Sequence, residues 1–400
     1  MRTRDLLQFL KKIWNRVPVD GAGVIPLGSA RSRLFQRTAA RGFWRREPAW
    51  RRGFTFLAAR LFWLAACPII AFTAKPRPRS SADVLAALRG GWFLGRNPRE
   101  TRMHRAIAQG DPARLCLAGT IPGDRQAGRL LHALGHPDDI HLASDKLLTA
   151  QRLEELGLPI APTLTVVEPE QPLDLAAAPW SHAGKLLLKP RHGARASGLF
   201  TVTAPVSPDL ALRIRQGASR DSLLVQPWLG PSPALQDLTP DAAAVIRAFA
   251  MRPAPGEPAS VVSAMLKILP SGMDAPFGTS ELLLIPITVE TGVLTRGILL
   301  ALPGRRWTRN PWNNVPFEGR VIGEWPQLLE MAVRAGEILP RTPVIGWDIL
   351  LAPEGPVFLE ANTSISLFRA SLWHFEHGLE SPLNAALETW CRQRRRAIRR

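Results

Sequence analysis

The segment VIGWDILLAPEGPVFLEANTS, residues 344–364, carries the strongest chemical signal in the chain. Two apolar runs flank Pro353-Glu354-Gly355, a turn composition that predicts a β-hairpin. Closure at that turn sets Asp348 across the ladder from Glu360. Glu360 and Asn362 are two residues apart and share a face of their strand. Two carboxylates and an amide oxygen then converge at one end of a sheet. Hard oxygen donors of this kind suit Mg²⁺, which completes its shell with phosphate and water. Opposed like charges in an apolar hairpin are destabilising without a cation. The plainer alternative is a pair of edge carboxylates facing water. The apolar flanks Ile349, Leu350, Phe358 and Leu359 argue against it.

A second segment, KLLLKPRHGARASG (185–198), sends an apolar strand into a loop with Gly193 and Gly198. Such a loop brings backbone N–H groups against phosphate oxygens. Lys189 sits where an inward ammonium pairs with them, and Arg191 and Arg195 add positive charge. Taken alone, the segment also fits a solvated loop, and His192 within it reads as a solvent-facing histidine. A third segment, LLVQPWLG (223–230), is an apolar strand ending in Gln226, Pro227, Trp228 and Leu229. Pro227 keeps its carbonyl and Leu229 its N–H, an acceptor and a donor for a purine edge. The equally good alternative is a strand leaving the core around a buried Trp.

Elements of both kinds are needed to position these segments. Helices are predicted at Arg99–Gln109, Arg125–Leu134, Asp145–Leu156 (Ser144 as N-cap), Pro208–Gln216 and Pro326–Ile338. Strands are predicted at Leu115–Ala118, Thr163–Val167, Lys185–Lys189, Leu199–Thr203, Leu223–Gln226, Ala243–Met251, Val261–Ile268, Leu282–Val289, Val344–Leu351 and Val357–Glu360. The order is α+β, dominated by antiparallel hairpins rather than βαβ repeats. Four regions follow: a basic, aromatic helical extension (1–80), a small α/β unit (81–143), a large α+β domain (144–375) and a C-terminal helix with a basic tail (376–400).

The chain has 400 residues, a net charge of +18 and 46% hydrophobic residues, enough for a sizeable core. Its three cysteines are far apart, which excludes a disulfide scaffold and a zinc cluster. Residues 1–79 hold 17 Lys/Arg and 3 Asp/Glu, giving +14, and residues 391–400 hold six Arg and no acid. The body between is almost neutral, unlike a duplex-binding domain, so no specific nucleic acid is expected. Basic ends suit an anionic surface: a membrane, a nucleic acid or an acidic partner. Within the extension, Phe54 to Phe72 is apolar but interrupted by Arg60 and Pro68. Three readings stand: a helix packed on the body, an interfacial helix, or a transmembrane span. The first thirty residues lack the apolar core of a signal peptide, so a cytoplasmic, peripheral location is expected.

In this order the three segments resemble the ATP-grasp superfamily over roughly Ser144 to Leu367. LEANTS (359–364) looks like the metal-binding end of the D-alanine–D-alanine ligases, and SDKLLTAQRLEELGLPIAPT (144–163) like the opening of the same domain. With VQPWLGPSPALQDLTPDAAAVIRAF and VIGWDILL, the pattern is most similar to the sugar-transfer-associated ATP-grasp proteins, which are related to α-L-glutamate ligases.

The resemblance implies two α+β subdomains clasping ATP. It assigns Lys146 and Lys189 to the α- and β-phosphates, and the loop Arg191–Gly198, with Gly193 and Ser197, to the phosphate cover. Gln226, Pro227, Trp228 and Leu229 go to adenine. Asp348, Glu360 and Asn362 go to Mg²⁺, Arg247 to the transferred phosphoryl group and Lys267 to the γ-phosphate. The implied activity joins a small-molecule carboxylate to an amine through an acyl phosphate, in polysaccharide or cell-envelope biosynthesis. A small-molecule kinase, and a membrane-associated ATP-binding partner of glycan assembly with little turnover, are the alternatives. The chain departs from the pattern in three places. Pro231, Ser232 and Pro233 stand where an acidic ribose contact is expected. Gly346 replaces the arginine of D-alanine ligases. The stretch with Gly278 lacks the asparagine of ribosomal-protein glutamate ligases.

Overall fold

Helix starts in this chain are written by proline and a preceding cap. The computed structural model describes residues 31, 34–35, 37–39, 61, 64–65, 67–72, 81–94, 97–169, 172–182, 184–193, 198–219, 221–239, 244–270 and 281–399. Ser197, Arg195, Gly278 and most of the 1–80 extension lie outside them. Helix α1 (Ser81–Leu94) is followed by α2 (Pro98–Ala108), α3 (Pro112–Thr120), α4 (Asp124–Leu134), α5 (Pro137–Ser144) and α6 (Lys146–Glu155). Asn97 caps α2, Asp111 caps α3 and Asp145 caps α6, with proline at N1 of α2, α3 and α5.

Two expectations are corrected here. The strand placed at Leu115–Ala118 is part of α3, so the described residues of the 81–143 unit are helical and not α/β. Asp111 Oδ1 accepts from the Ala113 and Arg114 N–H groups (2.8 and 3.3 Å), and Pro112 sets the first φ. These start signals lie just upstream of the apolar run, which by itself fits either structure. The cap of α6 is Asp145 rather than Ser144: its carboxylate accepts from the N–H groups of Leu147 and Leu148, both at 3.1 Å. Ser144 instead ends α5.

The rest of the chain forms two antiparallel sheets. The smaller has the order β1-β4-β2-β3, built from β1 (Thr165–Val167), β2 (Gly184–Pro190), β3 (Phe200–Ala204) and β4 (Leu223–Pro227), with α7 (Pro208–Ala218) between β3 and β4. After the short α8 (Pro233–Gln236) comes the larger sheet, ordered β10-β9-β5-β6-β7-β8. Its strands are β5 (Val245–Met251), β6 (Ser260–Ile268), β7 (Leu283–Ile287), β8 (Ile298–Leu299), β9 (Val344–Ala352) and β10 (Gly355–Asn362). The two-residue β8 has no counterpart among the expected strands. Helix α9 (Trp325–Ala335) precedes β9, while α10 (Leu367–Ala370), α11 (Leu372–Glu376) and α12 (Pro382–Arg399) follow β10. The Ala161 N–H donates to the Phe358 carbonyl (3.0 Å) and the Phe358 N–H to Pro159 (2.9 Å). The segment leading from α6 into the small sheet is thereby tied to the edge of the large one.

Residue alternation splits the large sheet into two faces. Ile246, Ala248, Leu266, Ile285, Trp347 and Ile349 point into a core closed by α9. The other face carries Phe249, Met265 and Leu284 against α4, α10 and α12. It also carries the charged residues described below. Trp347 is fully buried and meets Phe358 edge-on, their ring centroids 5.3 Å apart. Trp347→Ala is expected to cost about 3–5 kcal/mol, because the cavity lies between sheet and helix. Chemical denaturation checks this, and a loss below about 1 kcal/mol would show that the layer closes over the gap.

Candidate functional site

The hairpin β9–β10 is where fold and chemistry meet. Ala352 pairs with Gly355 across a two-residue turn, Pro353-Glu354, one residue tighter than the turn composition suggests. That register holds as far as Ile349–Phe358 and would set Asp348 against Leu359. A β-bulge between Phe358 and Glu360 moves the ladder by one, so Asp348 faces Glu360 after all, and Gly346 faces Asn362. The bulged Leu359 turns its carbonyl to Lys189 Nζ, 3.1 Å away at the end of β2 in the other sheet. One irregularity therefore aligns the carboxylates and anchors a lysine.

Asp348 lies in the middle of this arrangement, only 5% exposed. Its neighbour across the β5–β9 ladder is Arg247, which grips both carboxylate oxygens, Nε to Oδ1 at 2.7 Å. Lys267, on β6, reaches Oδ1 at 2.7 Å. Burial alone would raise the Asp348 pKa; the Arg247 and Lys267 charges outweigh it and hold the carboxyl well below the usual range. The lysines show the opposite balance. Burial pushes Lys267 down to about 8, helped by Arg247 and opposed by Asp348. Lys189 is likewise lowered to about 8 by burial, against the pull of Glu360. Burial also lowers Lys146.

These groups line a cavity of ≈ 460 Å³ between the sheets. The structure brings Lys146, Lys189, Gly193, Arg247, Lys267, Asp348, Glu360 and Asn362 together around it. Arg191, Gly198 and Gln226 to Leu229 are not among its lining residues. Arg191 instead forms a bidentate pair with the cap residue Asp145, with 2.7 Å at the closest approach, and so ties the end of β2 to the start of α6. Lys146 sits on the next residue and donates to the Gly193 carbonyl at 3.0 Å. Gly198 has φ +78, and a Cβ there would meet Pro190 Cγ at 2.9 Å, so only glycine fits at this position. In β4, Gln226 is 2% exposed; its Nε2 donates to the Ala161 carbonyl (3.0 Å), while its Oε1 is buried without a hydrogen-bond partner. Lys185 lies over the Trp228 ring, 4.0 Å from its centroid.

Three further polar lining residues lie outside the segments singled out in the sequence: Asp124, Ser366 and Arg369. Asp124 begins α4, and Arg369 lies on α10, a turn capped by Ser366. A carboxylate at a helix start and an arginine in a short turn look like ordinary capping and surface charge in the sequence. Gly346 also finds its reason. A Cβ there would approach Ile365 Cγ2 to 2.9 Å and Arg247 Cδ to 3.5 Å, so no arginine fits at this position.

The oxygen donors fit a divalent cation. Asn362 Nδ2 lies 3.2 Å from Glu360 Oε1 and 3.5 Å from Asp348 Oδ2, so the three side chains meet at one point. Turning the amide over presents Oδ1 there instead. Among the described residues Glu360 has no salt-bridge partner, and no cluster of three or more His, Cys, Asp or Glu is formed. Two carboxylates and one amide leave room for phosphate oxygens and water, as Mg²⁺ prefers.

Comparison with known proteins places these observations in a family. The model of the sugar-transfer associated ATP-grasp family matches residues 126–373. Among solved structures, the chain is similar to the ATP-grasp ligase PsnB complexed with minimal precursor, at 17% identity over 66% of this chain and 69% of that one, TM-score 0.37. It is similar to D-alanine–D-alanine ligase from Bacillus anthracis complexed with ATP (10% identity, 67% and 69% covered, TM-score 0.37). It is also similar to the D-alanine–D-alanine ligase from Coxiella burnetii (14%, 68% and 67%, TM-score 0.39). No curated protein matches the chain.

Because Arg247 and Lys267 already satisfy Asp348, free Mg²⁺ must compete with two cations. Calorimetry of the nucleotide-free protein should show Mg²⁺ binding no tighter than about millimolar. Markedly tighter binding would mean that the carboxylates are open to metal without phosphate.

Proposed function

The chain belongs to the sugar-transfer associated ATP-grasp family, and from that premise we propose that it is an ATP- and Mg²⁺-dependent ligase joining a small-molecule carboxylate to an amine. The observation that carries the reading is the convergence of three buried or half-buried cations, Lys189, Arg247 and Lys267, with Asp348, Glu360 and Asn362 on one cavity. A polyphosphate is the ligand whose charge such cations match. The oxygen donors beside them match the metal that travels with it.

In this reading Lys146 and Lys189 hold the α- and β-phosphates. The loop through Gly193, Ser197 and Gly198 covers them, with Arg191 bracing its base against Asp145. Gln226 Oε1, a buried acceptor without a partner, meets the adenine amino group, and the Pro227 carbonyl and Leu229 N–H complete the edge beside Trp228. Asp348, Glu360 and Asn362 hold Mg²⁺, which neutralises phosphate charge when bound. A substrate carboxylate oxygen attacks the γ-phosphorus and ADP departs. Arg247 and Lys267 face the charge on the transferred phosphoryl oxygens. The amine then attacks the acyl carbon, loses a proton and expels inorganic phosphate. Closure of the glycine-bearing loop keeps water from the acyl phosphate. The family description favours a carboxylate or amine from polysaccharide or cell-envelope building blocks.

Hydroxylamine tests the chemistry directly. With ATP, Mg²⁺ and the correct carboxylate, the protein is expected to yield ADP, phosphate and a hydroxamate in equal amounts. Asp348→Asn should lower that rate by about 10²–10³, and because it leaves Arg247 and Lys267 without their carboxylate it should also lower the melting temperature. ADP with a stable phosphorylated product and no hydroxamate would make the protein a kinase instead.

A further inference from the structure

The described part of the N-terminal extension exposes an apolar face that the catalytic reading does not use. Residues 61, 64–65 and 67–72 are helical. One side of this helix is docked. Cys67 and Ala71, one turn apart, are fully buried, and the guanidinium of Arg102 on α2 donates to the Ala71 carbonyl at 2.8 Å. Leu61, Leu64, Ile69 and Phe72 are 58%, 41%, 37% and 60% exposed. Leu61, Ala65, Ile69 and Phe72 follow the spacing i, i+4, i+8, i+11 and form one stripe, with Leu64 at its border beside Cys67 and Ala71. Burial elsewhere on the same helix shows that the stripe is not simply the outer surface of a loose segment.

Charge decides what such a stripe meets. From Pro48 to Ala82 the sequence has no Asp or Glu and six Lys/Arg: Arg51, Arg52, Arg60, Lys75, Arg77 and Arg79. Among the described residues no helix is long and apolar enough to cross a membrane. The four large apolar side chains exposed among the described residues are too few for a stable protein interface, which needs about 800 Å² from each partner. They are enough for shallow insertion between lipid headgroups when basic residues add attraction to anionic lipid. We propose that Leu61, Leu64, Ile69 and Phe72 dock the protein on an anionic bilayer surface, with the helix lying in the plane of the headgroups. Arg102 and the Cys67–Ala71 side then fix the body against the membrane.

Flotation of the full-length protein with vesicles tests this, using phosphatidylglycerol–phosphatidylcholine vesicles against pure phosphatidylcholine. The intact protein is expected to float with the anionic vesicles at low salt and to be released by high salt. Leu64→Glu/Phe72→Glu should weaken that partitioning by at least about tenfold. If the double variant melts at a lower temperature than the intact protein, Phe72→Ser alone provides the reading, with a smaller loss. Absence of binding to anionic vesicles, or equal binding by the variants, would overturn the proposal. So would a dimer in light scattering that Leu64→Glu dissociates, since the stripe would then meet a second copy of this chain.

Discussion

A buried carboxylate between two cations is the interaction on which this molecule turns. Asp348 sits in the middle of the large sheet, with Arg247 on one neighbouring strand and Lys267 on the next. Each of the three would be costly to bury alone, because desolvation opposes every ionised form. Together they leave a surplus of positive charge at the cavity, increased by Lys189 and Lys146. A sheet interior holding that surplus is built to receive an anion.

The surrounding architecture keeps the cluster in place from three directions. The Trp347 face packs on α9 and makes the sheet rigid. On the opposite face α4 and α10, through Asp124 and Arg369, close one side of the cavity. The small sheet supplies Lys189, held by the carbonyl that the β10 bulge turns outward. The two sheets therefore meet at a cation and a bulge rather than through a continuous apolar core. The pair of Arg191 with Asp145 adds a second tie, joining the end of β2 to the cap of α6.

Much of this was legible in the sequence, for physical reasons. The apolar runs around Pro353-Glu354-Gly355 announce the hairpin, and the facing of Asp348 and Glu360 follows from it. The route to that facing was not legible: the turn is one residue tighter than its composition suggests, and the bulge restores the pairing. Nothing local to Leu359 signals a bulge, because its purpose lies 170 residues away at Lys189. Leu115–Ala118 was misjudged because a short apolar run fits helix and strand alike, and the capping pair Asp111-Pro112 decides it. Arg191 shows a limit of another kind. Its charge in a glycine loop points to phosphate, whereas its partner is the buried cap carboxylate of α6. Asp124 and Arg369 stayed hidden because only tertiary packing brings α4 and α10 to the cavity.

The central claim is that the Asp348 cluster and its oxygen neighbours receive ATP together with Mg²⁺. Calorimetry of ATP binding in Mg²⁺, comparing the intact protein with Glu360→Ala, tests it most directly. Glu360 makes no salt bridge among the described residues, so its loss should spare the fold and act on the ligand alone. The account predicts about micromolar affinity for the intact protein and at least about tenfold weaker binding for the variant. A folded protein that does not bind ATP·Mg²⁺, or a variant that binds equally well, would contradict it.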